Sequence, residues 1–284
     1  MRTGENRHEF CVTLLENAKM NRTVFLAPAT GKTLVNRLLA PFFPRYSVLI
    51  ALEQEPLALR DTYRNLIMTH DRKLLFLRNQ KCACTQTTQV LYAYSNAGAT
   101  YPGNVHRANR GILPARYNWQ KIKPVLQARS AYTFTFVRHP EKRAHSAFRN
   151  FFVDATNIAR HKHMPHITSH GYDATRNTAY NFDVFLDYVA HTFAADALRC
   201  DTHWRLQTLN IGWGTITFDH VGKVETYNAD LGHVFDAIGR TDFPPADLLK
   251  RRFNATDSAV MPVTPAQRKK IEALYVADFE AFSY

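Results

Sequence analysis

Two short runs of this 284-residue chain carry side chains suited to holding a phosphate-like anion. The first is Arg78-Asn-Gln-Lys81-Cys82-Ala83-Cys84-Thr85-Gln86, where a lysine sits among small residues and Thr85, Thr87 and Thr88 follow. The second is Arg138-His-Pro-Glu-Lys-Arg143-Ala-His-Ser146, where two guanidiniums and a hydroxyl lie close together. A lysine ammonium is a compact charge, and arginine forks match the oxygens of a dianionic phosphate. Small loop residues such as Cys82, Ala83 and Cys84 let a ligand approach the backbone.

The elements that must position these groups are legible around them. Leu74-Leu-Phe-Leu77 reads as a buried strand and Thr85 to Ala97 as a helix. Strand, tight loop and helix is a layout that binds anions, because first-turn N–H groups and the helix dipole face the loop. The backbone N–H groups of 82–86 would join Lys81 there. A second strand, Ala131 to Val137, is apolar enough to be buried on both faces. It ends at Arg138, and Pro140 opens a helix reaching Phe152. On that helix Arg143 and Ser146 are three apart and share a face. A third strand is expected over Phe218–Glu225.

Elsewhere the patterning predicts helices over 5–20, Pro56–Thr69, Tyr117–Gln127, Phe182–Phe193, Asp230–Ile238 and Pro265–Phe282. It predicts a strand over Ser47–Leu52 and a His-rich surface loop over Asn157–Asn177. Strands alternating with helices give an α/β class: a three-layer, P-loop-like, mainly parallel central sheet flanked by helices. The whole chain, 1–284, reads as one domain, with 1–64 an N-terminal helical extension. Ala29-Thr-Gly-Lys-Thr33 ends like a nucleotide P-loop, but Leu26 stands where the first glycine is required.

Composition narrows the classes. The chain is 45% hydrophobic and 12% aromatic, which excludes a disordered chain. Lys and Arg total 36 against 24 acidic residues, and the net charge of +12 implies an anionic partner. The four cysteines, Cys11, Cys82, Cys84 and Cys200, are too scattered for a disulfide framework, and no second pair completes a zinc set with Cys82 and Cys84. The N-terminal residues lack an apolar signal region and no apolar run reaches membrane-spanning length, so a cytoplasmic location is expected. The Asn21 and Asn254 triplets then carry no meaning as glycosylation sites.

Taken in order, the two runs resemble the sulfotransferases that use 3′-phosphoadenosine 5′-phosphosulfate (PAPS). The likeness is to the Golgi-type carbohydrate sulfotransferases and their bacterial relatives. Further matches are His203-Trp204-Arg205-x-Gln207, Val221-Gly-Lys223-Val-Glu225-Thr226 and the ending Tyr275-x-x-Asp278-Phe279-x-x-Phe282-x-Tyr284. The resemblance covers roughly residues 65–284. Gln80 and His139 depart from the family's usual Pro and Asp.

The resemblance implies a sulfuryl transfer from PAPS to a carbohydrate hydroxyl by in-line displacement, without metal. It places the 5′-phosphosulfate on Lys81, Cys82, Ala83, Cys84, Thr85 and Gln86. It places the 3′-phosphate on Arg138 and Ser146, with Arg143 in support. Lys81 neutralises the departing phosphate. A general base must reach the acceptor hydroxyl. His106 is the first candidate, His203 the second and Glu225 the third, and Trp204 is placed to stack on a sugar or adenine. His161, His163, His166 and His170 fit no standard metal set and read as a basic lip over an acidic acceptor. Arg107, Arg110, Arg116, Arg160, Lys162 and Arg176 would line the acceptor groove. Two other readings stay open. A nucleotide kinase would explain the phosphate loop but needs Gly-rich spacing and a metal-binding Asp. A nucleic-acid-binding module would explain the charge but needs a basic helix or aromatic platforms.

Overall fold

The computed structural model describes residues 22–28, 33–251 and 262–284. The helix expected over 5–20, Cys11, Ala29–Lys32 and the Asn21 and Asn254 triplets' leading residues lie outside the described residues. In chain order the elements begin with α1 (Thr33–Leu39), α2 (Pro44–Glu53), α3 (Leu57–Arg64), β1 (Leu66–Met68), β2 (Leu74–Leu77) and α4 (Cys84–Ser95). Next come β3 (Leu113–Pro114), α5 (Ala115–Ala128), β4 (Tyr132–Val137), α6 (Pro140–Phe148), α7 (Met164–Ser169) and α8 (Thr178–Asp196). The chain continues through α9 (Gln207–Ile211), β5 (His220–Lys223), α10 (Tyr227–Ala237), α11 (Ala246–Lys250), α12 (Pro265–Leu274) and α13 (Val276–Phe282).

Two compact units result. The sheet unit takes Ala29–Arg138 and Gln207–Ala255; the helical unit takes Met1–Pro28, His139–Leu206 and Thr256–Tyr284. The sheet unit is an α/β structure whose five strands run in the order β3-β1-β2-β4-β5. β2, β4 and β5 are parallel, with Phe76 opposite Phe134 and Phe136 opposite Gly222. β1 is antiparallel to both β2 and β3. The sheet is therefore mixed, because half of its pairings are antiparallel, where a mainly parallel sheet was expected. β2 is buried at every residue, as parallel strands covered on both faces are. Phe76, Phe134 and Phe136 pack with Val90, Leu231 and Phe235 in this unit's core. Gly222 is needed in β5: a Cβ there would come within 2.5 Å of the Phe136 ring.

Two expectations fail locally. Ser47–Leu52 is helical, not a strand; it lies inside α2, which opens on Pro44 and buries Val48 and Leu52, four apart. A short apolar run suits a buried helix and a strand equally. The helix expected to Thr69 stops at Arg64, and Asn65 caps it before β1.

In the helical unit, α8 opens on Asn177, whose side chain accepts from the Tyr180 N–H. α12 opens on a capping box between Thr264 and Gln267. Phe148, Phe151, Phe182, Phe185, Tyr188 and Trp204 form its aromatic core. The surface loop expected over Asn157–Asn177 is instead partly folded into a 3-10 turn at Ile158–Lys162 and α7. His163 is fully buried and His170 nearly so, so neither belongs to an exposed lip. Among the described residues, no helix is long and apolar enough to cross a membrane.

Candidate active site

The loop between β2 and α4 is shaped by its backbone. Lys81 and Ala83 both take left-handed conformations, with φ of 66° and 56°. Non-glycine residues seldom do so, and such strain concentrates at functional sites. Ala83 is the N-cap of α4 and supplies no side-chain cap to it. The two thiols close the turn from within: Cys84 Sγ donates to the Asn79 carbonyl at 2.8 Å, and Cys82 Sγ to Gln207 Oε1 at 3.1 Å. Among the described residues, Cys82, Cys84 and Cys200 form no disulfide.

Gln207 is the hub that ties this loop to the end of β4. Its Oε1 accepts from Asn79 Nδ2 (3.1 Å) and from the Arg138 N–H (2.9 Å), and its Nε2 donates to the Arg138 carbonyl (2.8 Å). Arg138 Nη1 in turn lies 3.4 Å from the Lys81 carbonyl. Thus two residues singled out from separate motifs, Lys81 and Arg138, meet in one unit. The Arg138 Nε is buried with no hydrogen-bond partner among the described residues. A buried guanidinium N–H of this kind suits an anionic ligand. The loop conformation, the start of α4 beside it and the two cations fit a phosphate-bearing donor such as PAPS. The sequence did not single out Gln207 for this role; it appeared only as the last residue of the His203-Trp204 run.

His106 lies on the turn Val105–Arg107, in contact with the loop. Its Nδ1 is 3.1 Å from Arg78 Nη1 and its Nε2 is 2.9 Å from Thr85 Oγ1. Arg116 Nη2 donates to its carbonyl. Both ring nitrogens are thus engaged by the loop, which leaves neither positioned to take a proton from an acceptor. Burial pulls the Arg78 pKa below its ordinary value, and nearby Arg116 adds to this. Arg78 remains a cation, since a guanidinium titrates far above neutrality.

The remaining residues, Glu225 apart, belong to the helical unit. Arg143 is 1% exposed, and its guanidinium donates to the carbonyls of Arg205 (2.8 Å) and Thr202 (2.9 Å). Both terminal nitrogens of that guanidinium are thus committed to backbone carbonyls. Ser146 is half-buried on α6. Trp204 is fully buried against Phe151 and Phe185, so it cannot stack on a ligand face. Tyr275 donates to the Trp204 carbonyl at 2.8 Å, which gives the C-terminal motif a packing role.

His203 is differently placed. Its Nδ1 lies 2.7 Å from Asp201 Oδ1, and its side chain is partly exposed. The same carboxylate meets buried His163 Nε2 at 3.1 Å through Oδ2. Burial opposes the Asp201 charge, but His203 and His163 outweigh it and hold the carboxyl well below the usual range. An ionised Asp201 accepts the Nδ1–H hydrogen bond, so the Nδ1–H tautomer of His203 presents Nε2 as an acceptor. Asp201 was not a sequence candidate; a carboxylate two positions before a candidate histidine was the available signal. Glu225 is exposed in the turn after β5.

A family model described as the sulfotransferase family matches residues 64–284. The chain belongs to that family. Among curated relatives, the chain is 23% identical to carbohydrate sulfotransferase 11 of Danio rerio over 244 residues, covering 78% of this chain and 67% of that one. It is 22% identical to carbohydrate sulfotransferase 14 of Danio rerio over 237 residues, with 81% and 64% covered. It is 26% identical to carbohydrate sulfotransferase 12 of Mus musculus over 253 residues, with 78% and 60% covered. The chain therefore spans about two thirds or less of the length of these relatives. No solved structure matches it.

Proposed function

We propose that this protein transfers a sulfuryl group from PAPS to a carbohydrate hydroxyl. Bound, PAPS supplies the sulfuryl group, whose bond to phosphate oxygen breaks as the acceptor oxygen bonds to sulfur. The observation that carries the reading is the Lys81 loop: two left-handed residues leading into the start of α4, with the Arg138 guanidinium on the Lys81 carbonyl. The carbohydrate acceptor is inferred from the names of the relatives.

In this reading Lys81 and the amides of 82–86 hold the 5′-phosphosulfate, and the Lys81 ammonium balances charge gathering on the phosphate. Such catalysis works by positioning and charge stabilisation. Arg138 and Ser146 bind the 3′-phosphate, an assignment that rests on the motif order, while Arg143 braces its own segment. His203 takes the acceptor proton at Nε2. What supports it lies within its own unit: Asp201 fixes the tautomer and stabilises the imidazolium that results. The test is transfer of labelled sulfuryl from PAPS across a panel of neutral and acidic saccharides. Lys81→Ala should lower transfer by about 100-fold or more. Near-normal transfer by the Lys81→Ala enzyme would reject the assignment.

A further inference from the structure

His106 has a geometry that fixes its protonation state. Arg78 is donor-only, so the imidazole nitrogen 3.1 Å from its Nη1 must present a lone pair. Nδ1 is therefore unprotonated, and the single proton of the neutral ring lies on Nε2. A doubly protonated ring would set N–H against N–H beside an arginine. The Nε2–H then donates to Thr85 Oγ1 at 2.9 Å. A hydroxyl that accepts this bond has its own proton directed elsewhere.

The chain behind it is anchored at each step. Asn65 Nδ2 donates to the Asp61 carbonyl at 2.8 Å, which turns Oδ1 toward Arg78 Nη2 at 3.1 Å. The Gln80 amide donates to the same Oδ1 at 3.2 Å, tying the loop to the chain. The His106 N–H donates to Asn104 Oδ1 at 3.0 Å, and Arg116 holds its carbonyl. Both the ring and its backbone are therefore set from outside the first turn of α4.

We propose that His106 is a positioning residue. Through the relay Asn65–Arg78–His106–Thr85, it aims the Thr85 hydroxyl proton at the phosphate group of the donor held by the Lys81 loop. This rests on the donor-binding reading above, and replaces the general-base role expected for His106. The residue adds no proton transfer; it removes the rotational freedom of one hydrogen-bond donor.

Calorimetric titration with adenosine 3′,5′-bisphosphate, which carries the 5′-phosphate, provides the test, alongside ¹⁵N spectra of the histidine rings. His106→Phe should weaken binding about tenfold, the loss of one hydrogen bond to a charged group. His106→Gln, whose amide can accept from Arg78 and donate to Thr85, should stay within about threefold of wild type and keep turning over. In a Thr85→Val background, His106→Phe should cost nothing more. The ring should show Nδ1 unprotonated and Nε2 protonated near neutral pH. A protonated Nδ1, wild-type affinity in His106→Phe, or additive losses with Thr85→Val would overturn the proposal. So would a His106→Gln enzyme with intact binding and no turnover, which is the signature of a base. If His106→Phe does not fold, the ring spectrum of the wild type decides. Absence of binding to the wild type would instead defeat the donor reading, while the spectrum would still test the relay.

Discussion

Two histidines expected to compete for one job are separated by what touches their ring nitrogens. His203 donates its Nδ1–H hydrogen bond to a carboxylate, and His106 faces an arginine. A carboxylate partner leaves the far nitrogen basic, whereas an arginine partner forces the far nitrogen to carry the proton. The proposed assignment makes a specific prediction. His203→Gln should lower turnover by about 100-fold, the scale of general-base catalysis, while adenosine 3′,5′-bisphosphate binding is retained. Loss of binding with unchanged turnover per bound donor would place His203 with the ligands. Asp201→Asn should lower turnover in the same direction, because an amide no longer stabilises the charged ring.

At the level of elements, the loop after β2 keeps its strained backbone because neighbouring groups over-determine it. Gln207 bonds Asn79 and Cys82 on one side and both backbone groups of Arg138 on the other. Gln207→Leu, which keeps the volume, should cost about 2–3 kcal/mol by stranding buried polar groups, read as a lower urea midpoint, and should weaken donor binding. Unchanged stability would show that the loop is held by other means. In the helical unit, His170 offers a pH test. Its Nε2 lies 3.2 Å from the Thr23 carbonyl, and its ring contacts those of His191 and Tyr188. Burial, with His191, Arg22 and His166 nearby, lowers its pKa from 6.5 to about 4, despite the opposing Thr23 bond. Between these values the unfolded chain binds a proton that the folded chain refuses. Stability should therefore fall as pH drops from 6.5 toward 4 and recover as it rises. His170→Gln should flatten that decline when urea midpoints at pH 7 and pH 5 are compared. An equally steep decline in the variant would locate the effect elsewhere.

At the scale of the whole molecule, the strands that carry chemistry were the most legible. β2 and β4 are strands of four and six residues, each followed directly by an arginine, and their bounds fall within the runs read as strands. β1 and β3 are two or three residues long, too short for any period to show. β1 follows α3 with only Asn65 between them and no Gly or Pro to mark the boundary, which extended the predicted helix through it. Lys81 and Arg138 were visible as types at the ends of strands. The conformations at Lys81 and Ala83 were not, because neither is glycine. Nor was the Gln207 hub, since its partners lie more than 60 residues away in sequence. The buried state of Trp204 and His163 was hidden for the same reason: both depend on an aromatic core assembled from α6, α8 and the C-terminal helices. The basic composition pointed to an anionic partner without naming one, and the family match is what narrows it.

The central claim is that the Lys81 loop binds the nucleotide left when a sulfuryl group is transferred. Isothermal titration of the full chain with adenosine 3′,5′-bisphosphate, set against ATP–Mg²⁺, measures this most directly. One saturable site for the bisphosphate, absent in a folded Lys81→Ala variant and weaker for ATP–Mg²⁺, is the result predicted here. No heat with the bisphosphate, equal affinity in Lys81→Ala, or tighter binding of ATP–Mg²⁺ would contradict it.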